Sequence, residues 1–196
     1  MVSELSRLEL AVTHLLYRPA KRRSVAMVLG PEELPAGEWF AGREVAWRMG
    51  AVGFPSEQGH RAWIAGAVTA ARTFNDISSS RRLILQVLPY TSELDAAVAA
   101  PNLPLRMGSN GTAGEWKIDV PENPGLVGAL ACERVIDGTG GLKKQKVIVG
   151  SVGPIAFVTA SFQADDPNWD EVTDVAALQS KKIRSCLESE VPGGQD

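Results

Sequence analysis

A chain of 196 residues with 44% hydrophobic and 22% charged side chains is long enough to bury its own core without disulfides or a structural metal. Its net charge of −3 gives no general drive toward DNA or RNA, so no nucleic-acid partner is expected. Two cysteines, Cys132 and Cys186, both outside any C-x-x-C motif, exclude a disulfide scaffold and read as unlinked thiols.

Leu5, Leu8, Val12, Leu15 and Leu16 recur at helical spacing, which predicts an amphipathic helix over residues 4–17. Arg18, Lys21, Arg22 and Arg23 follow it as a basic linker with Pro19. That order reverses the basic-then-apolar order of a signal peptide, and no run is apolar enough to span a bilayer. The protein is therefore expected to be cytoplasmic. Turn chemistry marks Gly30-Pro31 and Pro35-Ala36-Gly37, and residues 43–48 read as a short strand. Residues 50–60 are Gly-rich and loop-like.

A strand is expected after Gly66, then a polar hairpin at 75–80. Residues 82–88, RLILQVL, form a nearly continuous apolar run closed by Pro89, the pattern of a buried central strand. Ser92 caps a short helix with Asp95 three residues on, and Pro101 stops it. Residues 101–114 read as a mobile crossing loop and 114–120 as a short strand. Three strands follow at 126–137, 144–151 and 155–162. Asn168 then caps an amphipathic helix, with Glu171 completing a capping-box-like pair. Val172, Val175, Ala176, Gln179 and Ile183 share one face of it. Lys181, Lys182 and Arg184 are expected in its last turns.

The expected architecture is α+β: a mainly antiparallel sheet flanked by helices. Residues 67–100 and 142–187 both read strand, turn, strand, helix, which suggests a pseudo-duplicated hairpin–helix unit. Residues 1–24 are assigned to the N-terminal helix and linker, 25–188 to a single domain, and 189–196 to a disordered tail.

No nucleophile elbow, zinc-protease motif or phosphate-binding loop is present, and Gly138–Lys144 has the wrong spacing for the last of these. His14 and His60 share no metal-ligand spacing with each other or with cysteine. The acids Asp165, Asp166, Asp170, Glu171 and Asp174 fit a helix N-terminus, where acids are favoured. No catalytic residue, metal site or cofactor is therefore assigned. Of the five tryptophans, Trp39, Trp47, Trp63 and Trp116 are the ligand-binding candidates. Together with loops 50–60 and 101–114 they would bound an apolar pocket.

The segments LGPEELPAGEW at 29–39, VTAARTFNDISSSRRLILQVLPYTSELDAAVAA at 68–100 and WDEVTDVAALQSKKIR at 169–184 resemble an uncharacterised family of actinobacterial proteins. The resemblance covers roughly residues 27–187. The meander and final helix are also similar to the extracellular sensor domains of mycobacterial serine/threonine kinases and to related lipoproteins of the PsbP-like fold. Their lipobox, anchor and paired disulfides are not expected here. The resemblance implies a binding or sensing scaffold. The expected function is a non-catalytic binding or accessory module for a small apolar ligand or a protein partner. The alternatives are an assembly protein docking through its N-terminal helix, as a homo-oligomer or on another chain, and an enzyme of unrecognised type that uses Cys132 or the acids at 165–174.

Overall fold

The computed structural model describes residues 18–35, 37–48, 68–76, 78, 81–104, 111–118, 126, 128–138, 141–163 and 167–190. The expected helix at 4–17 and loop at 50–60 lie outside them.

Two three-strand meanders make the sheet. β1 (Trp39–Arg48), β2 (Val68–Asp76) and β3 (Arg81–Pro89) form the first, and β6 (Leu130–Gly138), β7 (Gly141–Val152) and β8 (Ile155–Gln163) the second. β3 and β8 pair along the middle, from Arg82 opposite Phe162 to Pro89 opposite Ile155, giving the order β1-β2-β3-β8-β7-β6. Short strands β4 (Gly111–Ala113) and β5 (Lys117–Ile118) both pair with β6. Every described pairing is antiparallel. The α+β class expected from the sequence is the one observed, and the apolar run of β3 is indeed central.

Three helices are described: α1 over residues 18–26, α2 (Glu93–Ala99) and α3 (Trp169–Glu190). Ser92 caps α2 by accepting from the Asp95 N–H at 3.1 Å. Asn168 does the same for α3, accepting from the Asp170 N–H at 3.0 Å. Both α2 and α3 follow a hairpin, so the repeated strand–strand–helix order is present.

The two helices nevertheless cover opposite faces of the sheet. Along β8, Ile155 and Phe157 belong to one core cluster, and Ala156, Val158 and Ala160 to the other. Such alternation places the clusters on opposite sides of the strand. The first cluster includes Val172, Val175, Ala176 and Ile183 of α3, with Met27, Val28 and Leu29 after α1. The second includes Ala96 of α2 and Leu103. We call these the α3 face and the α2 face. Each fully buried Leu, Ile, Val or Phe contributes about 1.5–3 kcal/mol, so the α3 cluster, with Phe74, Leu83, Leu85 and Phe157 almost solvent-free, is a large source of stability.

Local structure departs from the sequence reading at several points. Residues 18–24, expected as a linker, are helical: Ala20, Lys21, Arg22 and Arg23 are good helix formers. Arg23 holds α1 to the end of α3 through Glu190, with Nε at 2.7 Å and Nη2 at 2.6 Å from its carboxylate. α3 accordingly continues to Glu190, into the expected tail, and Lys181, Lys182 and Arg184 sit before its last turn. Glu171 pairs with Arg81 of β3 instead of closing a capping box. Within 101–114, a 3-10 turn spans Ala100–Asn102 and 111–113 form β4, because β6 offers them a free edge. Among the described residues the strand expected at 114–120 is only Lys117–Ile118. β6 starts at Leu130, not at 126, since the Ala129 N–H turns back to the Leu126 carbonyl at 3.1 Å and Gly128 takes φ +76°, where glycine is favoured.

Candidate functional site

The α3 face is closed by polar contacts as well as packing. Asp76, almost fully buried, accepts from Arg81 Nη2 at 2.6 Å, and the same guanidinium pairs with Glu171 at the start of α3. Burial works against the charge on Arg81, but the bonds to Asp76 and the nearby Glu171 outweigh it, so its pKa stands above the ordinary value. Arg81 also lies over the Trp39 ring, 5.0 Å from its centroid, while Trp39 Nε1 donates to the Pro35 carbonyl at 3.0 Å. Trp39 thus packs against the α3 cluster as a latch for the entry to β1.

Trp116 lies on the other side. It packs on the α2 cluster, with the Arg134 guanidinium 4.2 Å from its ring centroid. Arg134 is buried and donates to Gln145 Oε1 at 2.7 Å; burial lowers its pKa below the ordinary arginine value. Trp39 and Trp116 therefore occupy opposite faces and do not bound a common pocket. Trp47 pairs with Thr69 in the β1–β2 ladder; its side chain and all of Trp63 lie outside the described residues. Trp169 opens α3 and has Lys146 Nζ 4.9 Å from its ring centroid.

Cys132 is buried in the α2 cluster and Cys186 packs against the α3 cluster, so the two thiols are on opposite faces and free. Burial pushes the Cys132 pKa up to about 12, only partly offset by Arg134. At neutral pH it is a protonated core thiol without nucleophilic character. Among the described residues no three His, Cys, Asp or Glu side chains are grouped to hold a metal ion.

The α2 face divides into two halves. Over β6–β8 it is roofed by α2, Leu103 and Trp116. Over β1–β3 no described helix lies on it, and Val45, Ala71, Thr73, Ile84 and Gln86 are half-buried. The apolar surface runs without a break between the halves, since Ile84 and Phe162 pack on the α2 cluster while remaining partly exposed. Thr69, at one end of this half, has a buried hydroxyl with no hydrogen-bond partner, as has Thr159 on the α3 face. The sequence signal for this surface was the alternation Arg82, Ile84, Gln86 within β3, masked by the apolar residues between them.

No family model matches the chain, and no curated protein matches it. Among solved structures it is similar to the extracellular domain of PknH from Mycobacterium tuberculosis, with TM-score 0.55 and 10% identity over 84% of this chain and 96% of that one. It also aligns with a putative uncharacterised protein of Mycobacterium smegmatis, with TM-score 0.43 and 11% identity over 86% of this chain and 96% of that one. The first likeness is one of fold, in keeping with the coarse resemblance noted from the sequence.

Proposed function

We propose that the protein is a non-catalytic binding module, and that the open half of the α2 face is where a small apolar ligand or a protein partner sits. The observation that carries this reading is the asymmetry of the sheet. The α3 face is packed beneath α1 and α3, whereas the described cover of the α2 face, α2 with Leu103 and Trp116, lies over β6–β8 and the Leu88 end of β3. Pockets and grooves of mixed apolar and polar lining are the usual form of ligand surfaces. The surface here differs from the tryptophan-bounded pocket first expected, and of those tryptophans Trp47 stands nearest in register, beside Thr69.

An enzyme built on Cys132 has no physical support, because its thiol is protonated and buried. The alternative of an assembly protein rests on the helix expected at 4–17, which lies outside the described residues.

We take the protein to be cytoplasmic and actinobacterial. Two free thiols are at home in a reducing compartment, and the fold is shared with a mycobacterial domain. That domain is extracellular. Among the described residues no helix is long and apolar enough to cross a membrane.

The test is a thermal-shift screen of hydrophobic metabolites against the wild type and Ala71→Arg. Compounds that raise the Tm of the wild type by several degrees and leave Ala71→Arg unchanged support the reading. A flat screen, or equal shifts in both proteins, counts against it.

A further inference from the structure

Side-chain alternation sorts the charges of the sheet unequally between its faces. On the α3 face lie the described strand carboxylates, Glu44, Asp76, Glu133 and Asp137, the first three in register with or paired to cations. The strand positions of the α2 face carry Arg82, Lys143 and Arg134 and, among the described residues, no aspartate or glutamate. Continuous register sets Asn75, Arg82, Phe162, Gln145 and Arg134 side by side across five neighbouring strands, and Phe40 follows Asn75 on β1. Arg82 is exposed and has no carboxylate partner among the described residues. The acids of α2 do not reach it. Glu93 lies near Gly153, at the opposite end of β8 from Phe162, roughly 25 Å away at about 3.3 Å per residue.

We infer that the open half of the α2 face binds an aliphatic carboxylate, its acid group at Arg82 and its chain along Ile84, Thr73 and Ala71. This rests on the binding-module reading and names the chemistry of its ligand. A guanidinium recognises a carboxylate through two parallel N–H donors, and Arg134 and Lys143 add positive potential on the same side. Beyond Arg82 the surface becomes apolar and half-buried. From Arg82 to Gln86 it runs roughly 13 Å, a length that a decanoyl chain spans. Electrostatic complementarity of this kind decides which ligand is accepted.

The experiment is isothermal titration of the full chain with decanoate and, separately, with decanol. Decanoate is expected to bind at least tenfold more tightly, with an advantage that shrinks as salt is raised. Arg82→Gln should abolish the difference between the two probes and leave the Tm unchanged, because the residue is exposed. Lys181→Gln, on the exposed side of α3, should leave it intact. Equal binding of decanol and decanoate, or undiminished decanoate binding by Arg82→Gln, overturns the carboxylate assignment while the apolar binding surface stands. Binding of neither probe overturns the assignment and, with a flat metabolite screen, the surface as well.

Discussion

The Gln179 side chain of α3 donates to the Met27 carbonyl at 2.6 Å and accepts from the Leu29 N–H at 3.3 Å. This stretch has no strand partner among the described residues: the Met27 and Val28 N–H groups turn back to the carbonyls of Arg23 and Val25, and side chains must satisfy the rest. Arg72 completes the arrangement from β2, donating to the carbonyls of Val28 and Leu29, both at 3.0 Å. Residues 27–29 are thus held between a helix and the sheet by two side chains.

Gln179→Leu is expected to destabilise the protein by about 2–4 kcal/mol, because two buried backbone groups lose their partners at about 1–3 kcal/mol each. Urea unfolding should show a lower midpoint with an unchanged slope. A loss below 0.5 kcal/mol on the same scale would mean that the contact is not formed.

Arg81→Met leaves the Asp76 carboxylate buried without its guanidinium. Removing one partner of a buried ion pair costs about 3–5 kcal/mol. The Ser78 N–H, which also donates to Asp76 at 3.0 Å, keeps this loss toward the lower end. Removing both charges, in Arg81→Met with Asp76→Asn, should recover part of it. Equilibrium unfolding of the single and double variants measures the coupling.

Glu33 provides a pH test. Burial raises its pKa, but the bond from Lys182 at 2.7 Å, the Gly30 N–H and the positive charges of Lys182 and Arg72 together bring it below the usual 4.5. A lowered carboxylate pKa stabilises the fold above the unfolded value and loses that stabilisation as pH falls through the folded value. Stability should therefore decline below pH 4.5, and Glu33→Gln should flatten part of that decline. At neutral pH the substitution should cost no more than about 1 kcal/mol, since the pair is partly exposed. Melting curves from pH 7 to pH 3 check both statements.

The cysteines should differ in reactivity. With its pKa pushed up to about 12, Cys132 should resist a thiol reagent at pH 8 until the protein unfolds. Cys186 is half-buried and its pKa is also raised, mainly by burial, so it should label slowly in the native state. Mass spectrometry after timed labelling should find one modified thiol in the folded protein, at Cys186, and no disulfide between the two.

Much of this fold can be read from local sequence. The apolar run of β3, the caps Ser92 and Asn168, and the glycine turn at Gly153-Pro154 state their roles through residue type. The face of α3 is legible too, and Gln179 falls on it by helical spacing. What spacing cannot show is the partner of a buried polar group: Gln179 meets Met27 from 152 residues away, and Glu171 meets Arg81 from 90. Both contacts depend on tertiary packing. The central pairing of β3 with β8 is equally non-local, and so is the edge of β6 that converts residues 111–113 into a strand. The tryptophans suggested a site by their chemistry, but strand alternation, which no tryptophan announces, decides that Trp39 and Trp116 stay apart. The same alternation, read along Arg82, Ile84 and Gln86, marks the open surface.

The central claim is that this open half of the α2 face binds ligand. Backbone amide chemical shifts recorded during titration with decanol and then with decanoate test it most directly. The largest perturbations are expected at Ala71, Thr73 and Ile84, with α3 and Trp39 unaffected. If both probes leave β2 and β3 unperturbed, or act mainly around α3, the claim is contradicted.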